Sequence, residues 1–524
     1  MEDLQSAGET RDRGLWSRIH LQLLDALLHR GPLTVLLSLL VVAVWLPLLT
    51  RSLWVDEAGT FWMAHEGVIR AVQKSLHWPG QSLLYSAIAS LFCFDGTPFR
   101  DALLRIPSVI GIAVATWFLY WFAEKKVASG AGVVAIILFL FHPNVVSVGF
   151  QARPYALAIA AVIASCWALC EWEESRSRTC LLWYVVASTL VIYLHYFFAA
   201  IFGVQVIYLL FIFVVDRRHS RWLEILCAGA AIVILAVPII PHLLLLVSEG
   251  HTVSSYASIP RLKDFTESIM PSVLVAGLLI AGYLLHLFYP KLPQSDTRLQ
   301  PALLVLLTAW WLLGPLLFLA VSKLTPMQIF VSRYLAFTLP AQALLFAYIG
   351  ITLFGSAGAR VWALTAVLLF PANPIFLRFG RNPESELLPL IRLIRSDPTA
   401  PVFFPSLLYE SQFYDWRAGN QPSSYLFAPL VAYPIPNPVF PLPYVPTDDV
   451  KNYISDVIDS QLARAPEVLF VAAGNRWEDF ATDWVTDRMR LAGFHAAVRR
   501  GGTFTVLVFT KRTQTDLVPH SPND

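Results

Sequence analysis

The feature that most limits what this chain can become is a series of apolar, charge-poor stretches, each close to the length that crosses a bilayer. They fall at 31–50, 106–123, 129–148, 154–171, 180–194, 196–215, 223–241, 271–290, 301–321, 334–353 and 361–377. Residues 179–215 contain no Asp, Glu, Lys or Arg and are too long for one span, so the run is divided at His195 and Tyr196, which are polar enough for a turn. The pattern predicts an all-α polytopic membrane module of about eleven transmembrane helices. Composition agrees, because 56% of the 524 residues are hydrophobic and 14% charged, against about 25% charged in a soluble domain. The run 31–50 follows a basic N-terminus without a small-residue cleavage site, so it reads as a retained first span after a cytoplasmic segment, 1–30.

Short basic loops set the orientation. Arg11, Arg13, Arg18 and Arg30 precede the first span, and Lys125 with Lys126, Arg176 with Arg178, Arg217 with Arg218 and Arg221, Lys291 with Arg298, and Arg360 occupy alternate later connections. With these in the cytoplasm, the outer face receives segment 51–105, the turns near Arg153 and His195, the loops 242–270 and 322–333, and everything after about 378. Segment 51–105 has two short apolar pieces, 58–72 and 80–94, interrupted by Glu66, Arg70, Lys74 and His77, and is expected to form two helices lying in the interface. Reading 80–95 as a span would instead invert every later loop.

After 378 the periodicity changes. Helices are expected over 383–395, 406–417 and 476–491 and strands over 401–404, 467–472 and 503–510. A membrane module over 31–378 is therefore followed by a small C-terminal α/β domain, 379–524, on the extracytoplasmic side, with the proline-rich stretch 429–446 as its linker.

Lys+Arg 38 against Asp+Glu 36 leaves a formal charge of +2 and no basic field for nucleic acid. Cys93, Cys166, Cys170, Cys180 and Cys227 show no paired metal spacing and imply no disulfide framework. Metalloprotease, serine hydrolase and ATPase readings lose support because no His-Glu-x-x-His, Gly-x-Ser-x-Gly or Walker pattern is present.

Asp56 and Glu57 stand just past the outer end of the first span, where a partly desolvated carboxylate can serve as a general base toward a hydroxyl. Acids at that position also suit a helix N-terminus. Arg153, before Pro154 and Tyr155, and Arg333, before Tyr334, occupy outward junctions from which a guanidinium can clamp a phosphate. Arg153 would equally suit snorkelling to headgroups. His77 beside Pro79, and His195 beside Tyr196, map to the same face and could donate to a phosphate, relay a proton or cap a turn. His142 with Pro143 is a weaker candidate, and some of the tyrosines could stack on a sugar ring.

Taken in order, Trp54-Val55-Asp56-Glu57, His77-Trp78-Pro79, Leu104-Arg105-Ile106-Pro107-Ser108, Gln151-Ala152-Arg153-Pro154-Tyr155, Tyr193-Leu194-His195-Tyr196-Phe197 and Ser332-Arg333-Tyr334 resemble the GT-C glycosyltransferase superfamily. Within it they resemble the bacterial branch of protein O-mannosyltransferases and aminoarabinose transferases. The resemblance implies a membrane glycosyltransferase of the bacterial inner membrane, serving cell-envelope glycan or lipopolysaccharide synthesis and using a polyprenyl-phosphate-linked sugar donor. It carries the base onto Asp56, assisted or positioned by Glu57, and donor phosphate binding onto Arg153 and Arg333. His77, Tyr155, His195, Tyr196 and Tyr334 become substrate-pocket candidates. The acceptor could be a lipid, a glycan or a protein. Where relatives have an acid before the Ala-Arg-Pro-Tyr stretch this chain has Gln151, so a divalent metal stays open and no other cofactor is implied. A transporter or lipid flippase also suits eleven spans, but internal repeats and paired broken helices are not evident.

Overall fold

A computed structural model describes residues 45–78, 80–216, 222–253, 259–269, 280, 283, 298–368, 387–407, 425–443, 446, 448–462, 464–501 and 504–511. Most of the expected spans 271–290 and 31–50, the end of 361–377, most of the helix over 406–417, Pro79 and segment 1–30 lie outside them.

Among the described residues six helices are long and apolar enough to cross a membrane: Ile106–Val127, Tyr155–Ser175, Tyr196–Val215, Trp222–Ser248, Pro301–Leu324 and Ala336–Ser356. A seventh crossing is available if the pair Ala131–Leu140 and Pro143–Gly149 counts as one. That pair is bent by 69°, because Pro143 supplies no N–H to continue the first helix. His142 caps the second piece, its Nδ1 accepting from Asn144 N at 3.2 Å. Arg178–Leu194 is a shorter apolar helix. The expected loop over 242–270 is partly helical, since Ile240–Val253 carries on from the preceding span and Leu262–Ile269 follows.

Tyr155–Ser175 is the hub, packed on both Ile106–Phe122 and Arg178–Leu194. Small residues allow this approach: a Cβ on Gly111 would come within 2.6 Å of Leu157 N and 2.7 Å of Ala156 C. Polar groups inside the bundle satisfy one another, Gln205 donating to Ser165 Oγ (2.7 Å) and accepting from the Tyr184 hydroxyl (3.0 Å). Leu182, Trp183, Val214, Leu223 and Val233 stand exposed on the outside, as expected of side chains solvated by lipid.

Segment 51–105 folds into three short helices, Val55–Ala64, Val68–His77 and Leu83–Ser90, before a last turn at Arg100–Leu104. The first apolar piece is therefore two helices. The chain breaks at Gly67, whose φ of 91° lies in the left-handed region that glycine enters without strain.

The C-terminal domain holds a five-stranded sheet of order β2-β1-β3-β5-β4, formed by β1 (Val402–Pro405), β2 (Val439–Leu442), β3 (Glu467–Ala472), β4 (Phe494–Gly501) and β5 (Phe504–Lys511). β1 lies parallel to both β2 and β3, while β5 lies antiparallel to β3 and β4. Two edge strands were not expected. β2 carries Pro441 and sits within the stretch read as a linker, and β4 exposes most of its side chains, so neither shows the alternation of a half-buried strand. The segment before β2 docks on the first loop: Leu53 N donates to the Tyr433 hydroxyl at 2.7 Å, that hydroxyl donates to Asp101, and Arg100 donates to Ala432 O at 2.8 Å.

Gly111→Ala should force the hub helix away from its neighbour and destabilise the protein by about 1–3 kcal/mol. Gly229→Ala, where a Cβ meets nothing within 4 Å, should leave the melting temperature in detergent unchanged or slightly raised. Equal melting of the two variants would contradict the packing described.

Candidate active site

The site is built around the N-terminus of helix Val55–Ala64. Glu57, at its third position, reaches back so that Oε2 accepts from Trp54 N at 3.2 Å, closing a capping arrangement. The same carboxylate accepts from Arg105 Nε at 2.7 Å, Arg105 Nη2 at 2.6 Å and Ala152 N at 2.7 Å. Both members of the ion pair are sealed from solvent, the Arg105 side chain at 1% and that of Glu57 at 0% exposure. Arg105 spends its other protons on the carbonyls of Leu49 (2.9 Å), Arg51 (2.6 Å) and Ser52 (3.0 Å). Burial opposes its charge, but Glu57 more than offsets this and raises its pKa.

One turn along the helix that Arg105 opens, Ser108 lies 2.5 Å from Gln151 O and 3.1 Å from Arg153 O, and Tyr85 Oη is 2.9 Å from Ser108 Oγ. Arg105 and Ser108 thus pin, from one helix end, the turn carrying Asp56 and the turn carrying Arg153. The third turn, with Arg333, is held by Ser322, whose buried Oγ accepts from Ile329 N and Phe330 N at 3.0 Å each.

These anchors bring Asp56, Arg153 and Arg333 together. Arg333 Nη1 lies 3.2 Å from Asp56 Oδ2, and both side chains are partly open, at 24% and 22% exposure. Arg153 Nη1 lies 3.5 Å from Asp56 O and donates to Gln81 Oε1 at 2.7 Å. Glu57 and Arg105 cancel, so Asp56 faces two cations and the site holds an excess positive charge.

An aromatic wall continues from the arginines. The Arg333 guanidinium lies 5.6 Å from the Tyr334 ring and that of Arg153 6.0 Å from the Tyr155 ring. His195 sits between these tyrosines, 5.1 Å from Tyr155 and 5.5 Å from Tyr334 by ring centroid, with Phe198 at 4.5 Å. Its Nδ1 is buried without a hydrogen-bond partner among the described residues. Burial first, then the positive charge of Arg153 and Arg333, pushes its pKa down to about 3, so the imidazole is neutral.

Two candidates stand elsewhere. His77 is exposed at its helix end, with Nδ1 2.9 Å from Gln73 O. No described contact joins it to Asp56 or the arginines. Tyr196 is bonded to His242 Nδ1, and His242 Nε2 lies 2.8 Å from Ser75 O, so Tyr196 ties a span to the first loop instead of facing the arginines. Glu57 has no accessible surface, and its carboxylate is engaged by Arg105, Trp54 N and Ala152 N. Arg105 and Gln81 went unassigned in the sequence. A lone arginine opening an apolar span was the signal for Arg105.

A cavity of about 360 Å³ opens beside these residues, lined among others by Arg51, Ser52, Trp54, Gln151, Ser332 and Arg333. Buried in its lining, without hydrogen-bond partners among the described residues, are Ser52 Oγ, Trp54 Nε1 and Gln151 Oε1, a donor and acceptor set suited to a hydroxylated ligand. Among the described residues no three His, Cys, Asp or Glu side chains gather in a way that could hold a metal ion.

Arg105→Met, which strands Glu57 as a buried charge, should cost about 3–5 kcal/mol, with much of the loss recovered in Arg105→Met/Glu57→Met. Thermal unfolding of purified protein measures both; additive losses would contradict the pairing. For His195, the unfolded chain takes up the proton at about pH 6.5 and the folded chain only at about 3. Stability should therefore fall as pH drops between these values, and His195→Phe should flatten that fall. An unchanged pH profile of unfolding in that variant would refute the assignment.

Residues 77–244 match the family model of dolichyl-phosphate-mannose-protein mannosyltransferases. No curated protein sequence matches the chain. By structure the chain is similar to ArnT from Cupriavidus metallidurans in the apo state, with a TM-score of 0.52 at 11% identity, covering 91% of this chain and 97% of that one. It is similar also to ArnT from the same organism bound to undecaprenyl phosphate, with a TM-score of 0.51 at 11% identity, covering 92% of this chain and 98% of that one. The resemblance read from the sequence is thus met in two ways, by a family model over part of the chain and by a fold shared with these ArnT structures.

Proposed function

We propose that this protein is a membrane glycosyltransferase that moves a sugar from a polyprenyl-phosphate donor to an acceptor hydroxyl. The observation that carries the reading is the convergence of Asp56 with Arg153 and Arg333, a carboxylate and two guanidiniums brought together from three separate turns. The ArnT structure with bound undecaprenyl phosphate supports a lipid phosphate as the donor's leaving group.

In this reading Asp56 takes the proton of the acceptor hydroxyl as its oxygen attacks the anomeric carbon. The bond from that carbon to the phosphate oxygen breaks, and its electron pair leaves on the lipid phosphate. Arg153 and Arg333 stabilise the growing negative charge where little water competes. A single displacement inverts the anomeric centre, since the other nearby carboxylate, Glu57, is fully engaged and cannot reach the sugar as a nucleophile. The neutral imidazole of His195 can exchange a hydrogen bond with the substrate without adding charge, and Tyr155 and Tyr334 form the wall beside it. No step here runs through a divalent ion. The reading keeps eleven spans, a cytoplasmic N-terminus, an extracytoplasmic C-terminal domain and residence in a bacterial inner membrane, from the alternation of basic loops.

Asp56→Asn should lower transfer by about 10²–10⁴-fold while the protein folds and still binds donor lipid. Arg333→Gln should lower it through the leaving group. The measurement is the envelope glycans and the accumulated lipid-linked sugar of cells carrying each variant. Abundant Asp56→Asn protein with unimpaired transfer would overturn the reading and favour a transporter.

A further inference from the structure

Among the described residues the C-terminal domain reaches the site through the side chain of Tyr425. Tyr425 is 1% exposed, and its ring packs on Trp78 at 4.5 Å and Trp62 at 5.3 Å, both from the first loop. It also lies against Gly59, one turn after Asp56, where a Cβ would come within 3.0 Å of the Tyr425 hydroxyl oxygen and 3.2 Å of its ring. Only a residue without a side chain lets the tyrosine sit so close to the helix that bears Asp56.

From that seat the hydroxyl meets Gln81, whose Nε2 donates to it at 2.5 Å, while Gln81 Oε1 accepts from Arg153 Nη1 at 2.7 Å. The chemistry fixes the direction of this relay. Arginine has only donors, so the amide oxygen must face Arg153, and the amide nitrogen must then face an acceptor, which Tyr425 provides. Removing that acceptor would leave a buried amide N–H unsatisfied and free Gln81 to turn away. The relay grips the guanidinium at Nη1, and among the described residues the buried Arg153 Nε has no hydrogen-bond partner, so that edge of the fork keeps an unused donor.

We propose that the C-terminal domain positions the donor-binding cation, with Tyr425 acting through Gln81 to hold Arg153 in the orientation that meets the lipid phosphate. This rests on the reading above that Arg153 binds that phosphate. Tyr425 and Gln81 are positioning residues, and through this one contact the domain takes part in donor binding.

The test titrates undecaprenyl phosphate against the full-length protein in lipid nanodiscs. Arg153→Gln should weaken binding more than tenfold, and Tyr425→Phe, which keeps the ring and its packing, by about three- to tenfold. Gln81→Leu should do at least as much as Tyr425→Phe. In an Arg153→Gln background, adding Tyr425→Phe should change nothing further, because both act through one group. Tyr433→Phe removes a docking bond that does not lead to Arg153 and should leave binding unchanged. Wild-type affinity in Tyr425→Phe alongside weakened Arg153→Gln overturns the relay and spares the donor reading. Wild-type affinity in Arg153→Gln overturns both. Losses in Tyr433→Phe equal to those in Tyr425→Phe, or additive losses with Arg153→Gln, assign Tyr425 a structural role only and overturn the proposal.

Discussion

A sealed ion pair, Glu57 with Arg105, is the interaction on which the arrangement depends. Burying two charges costs several kcal/mol each unless their remaining lone pairs and protons are used, and here they are: Glu57 also accepts from Trp54 N and Ala152 N, and Arg105 donates to three carbonyls of the preceding turn. The pair fixes where one helix ends, where the next begins and how the turn before Arg153 meets them. It also sets the aim of its neighbour. Adjacent residues on a helix point about 100° apart, so turning Glu57 inward leaves Asp56 turned toward Arg333.

That geometry separates two kinds of charge. One pair is buried and neutral overall and holds the frame, while Asp56 and Arg333 are partly open and their surroundings carry the extra cation of Arg153. A site with surplus positive charge beside a carboxylate is suited to an anionic leaving group and an adjacent proton acceptor. The neutral His195 and the tyrosines beside it complete a wall that adds shape without shifting this balance. The C-terminal domain, seated by Tyr433 and Tyr425, closes the frame from outside the membrane module.

Much of this was legible in the sequence. The spans at 106–123, 196–215, 223–241 and 301–321 lie within observed helices, and 154–171 does so from Tyr155 on, because long runs without charge have one physical use. β1, β3 and β5 were visible because their apolar residues are continuous, and β2 and β4 were hidden because edge strands tolerate proline and charge. At the site, Asp56, Arg153 and Arg333 could be singled out as charged groups beside apolar runs. Which of Asp56 and Glu57 is sealed and which stays open could not, since adjacent acids look alike until a partner selects one. Gln81 and Tyr425 were invisible for a related reason: their roles depend on contacts across hundreds of residues, and neither carries a charge.

The central claim, that one lipid phosphate is met by Arg153 and Arg333 beside Asp56, is tested most directly by a cryo-electron microscopy structure of the protein in nanodiscs with undecaprenyl phosphate. Phosphate density is expected within hydrogen-bonding distance of at least one of the two guanidiniums, with the Glu57–Arg105 pair intact behind it. Phosphate density held by other residues, on a face that Asp56 does not reach, would contradict it.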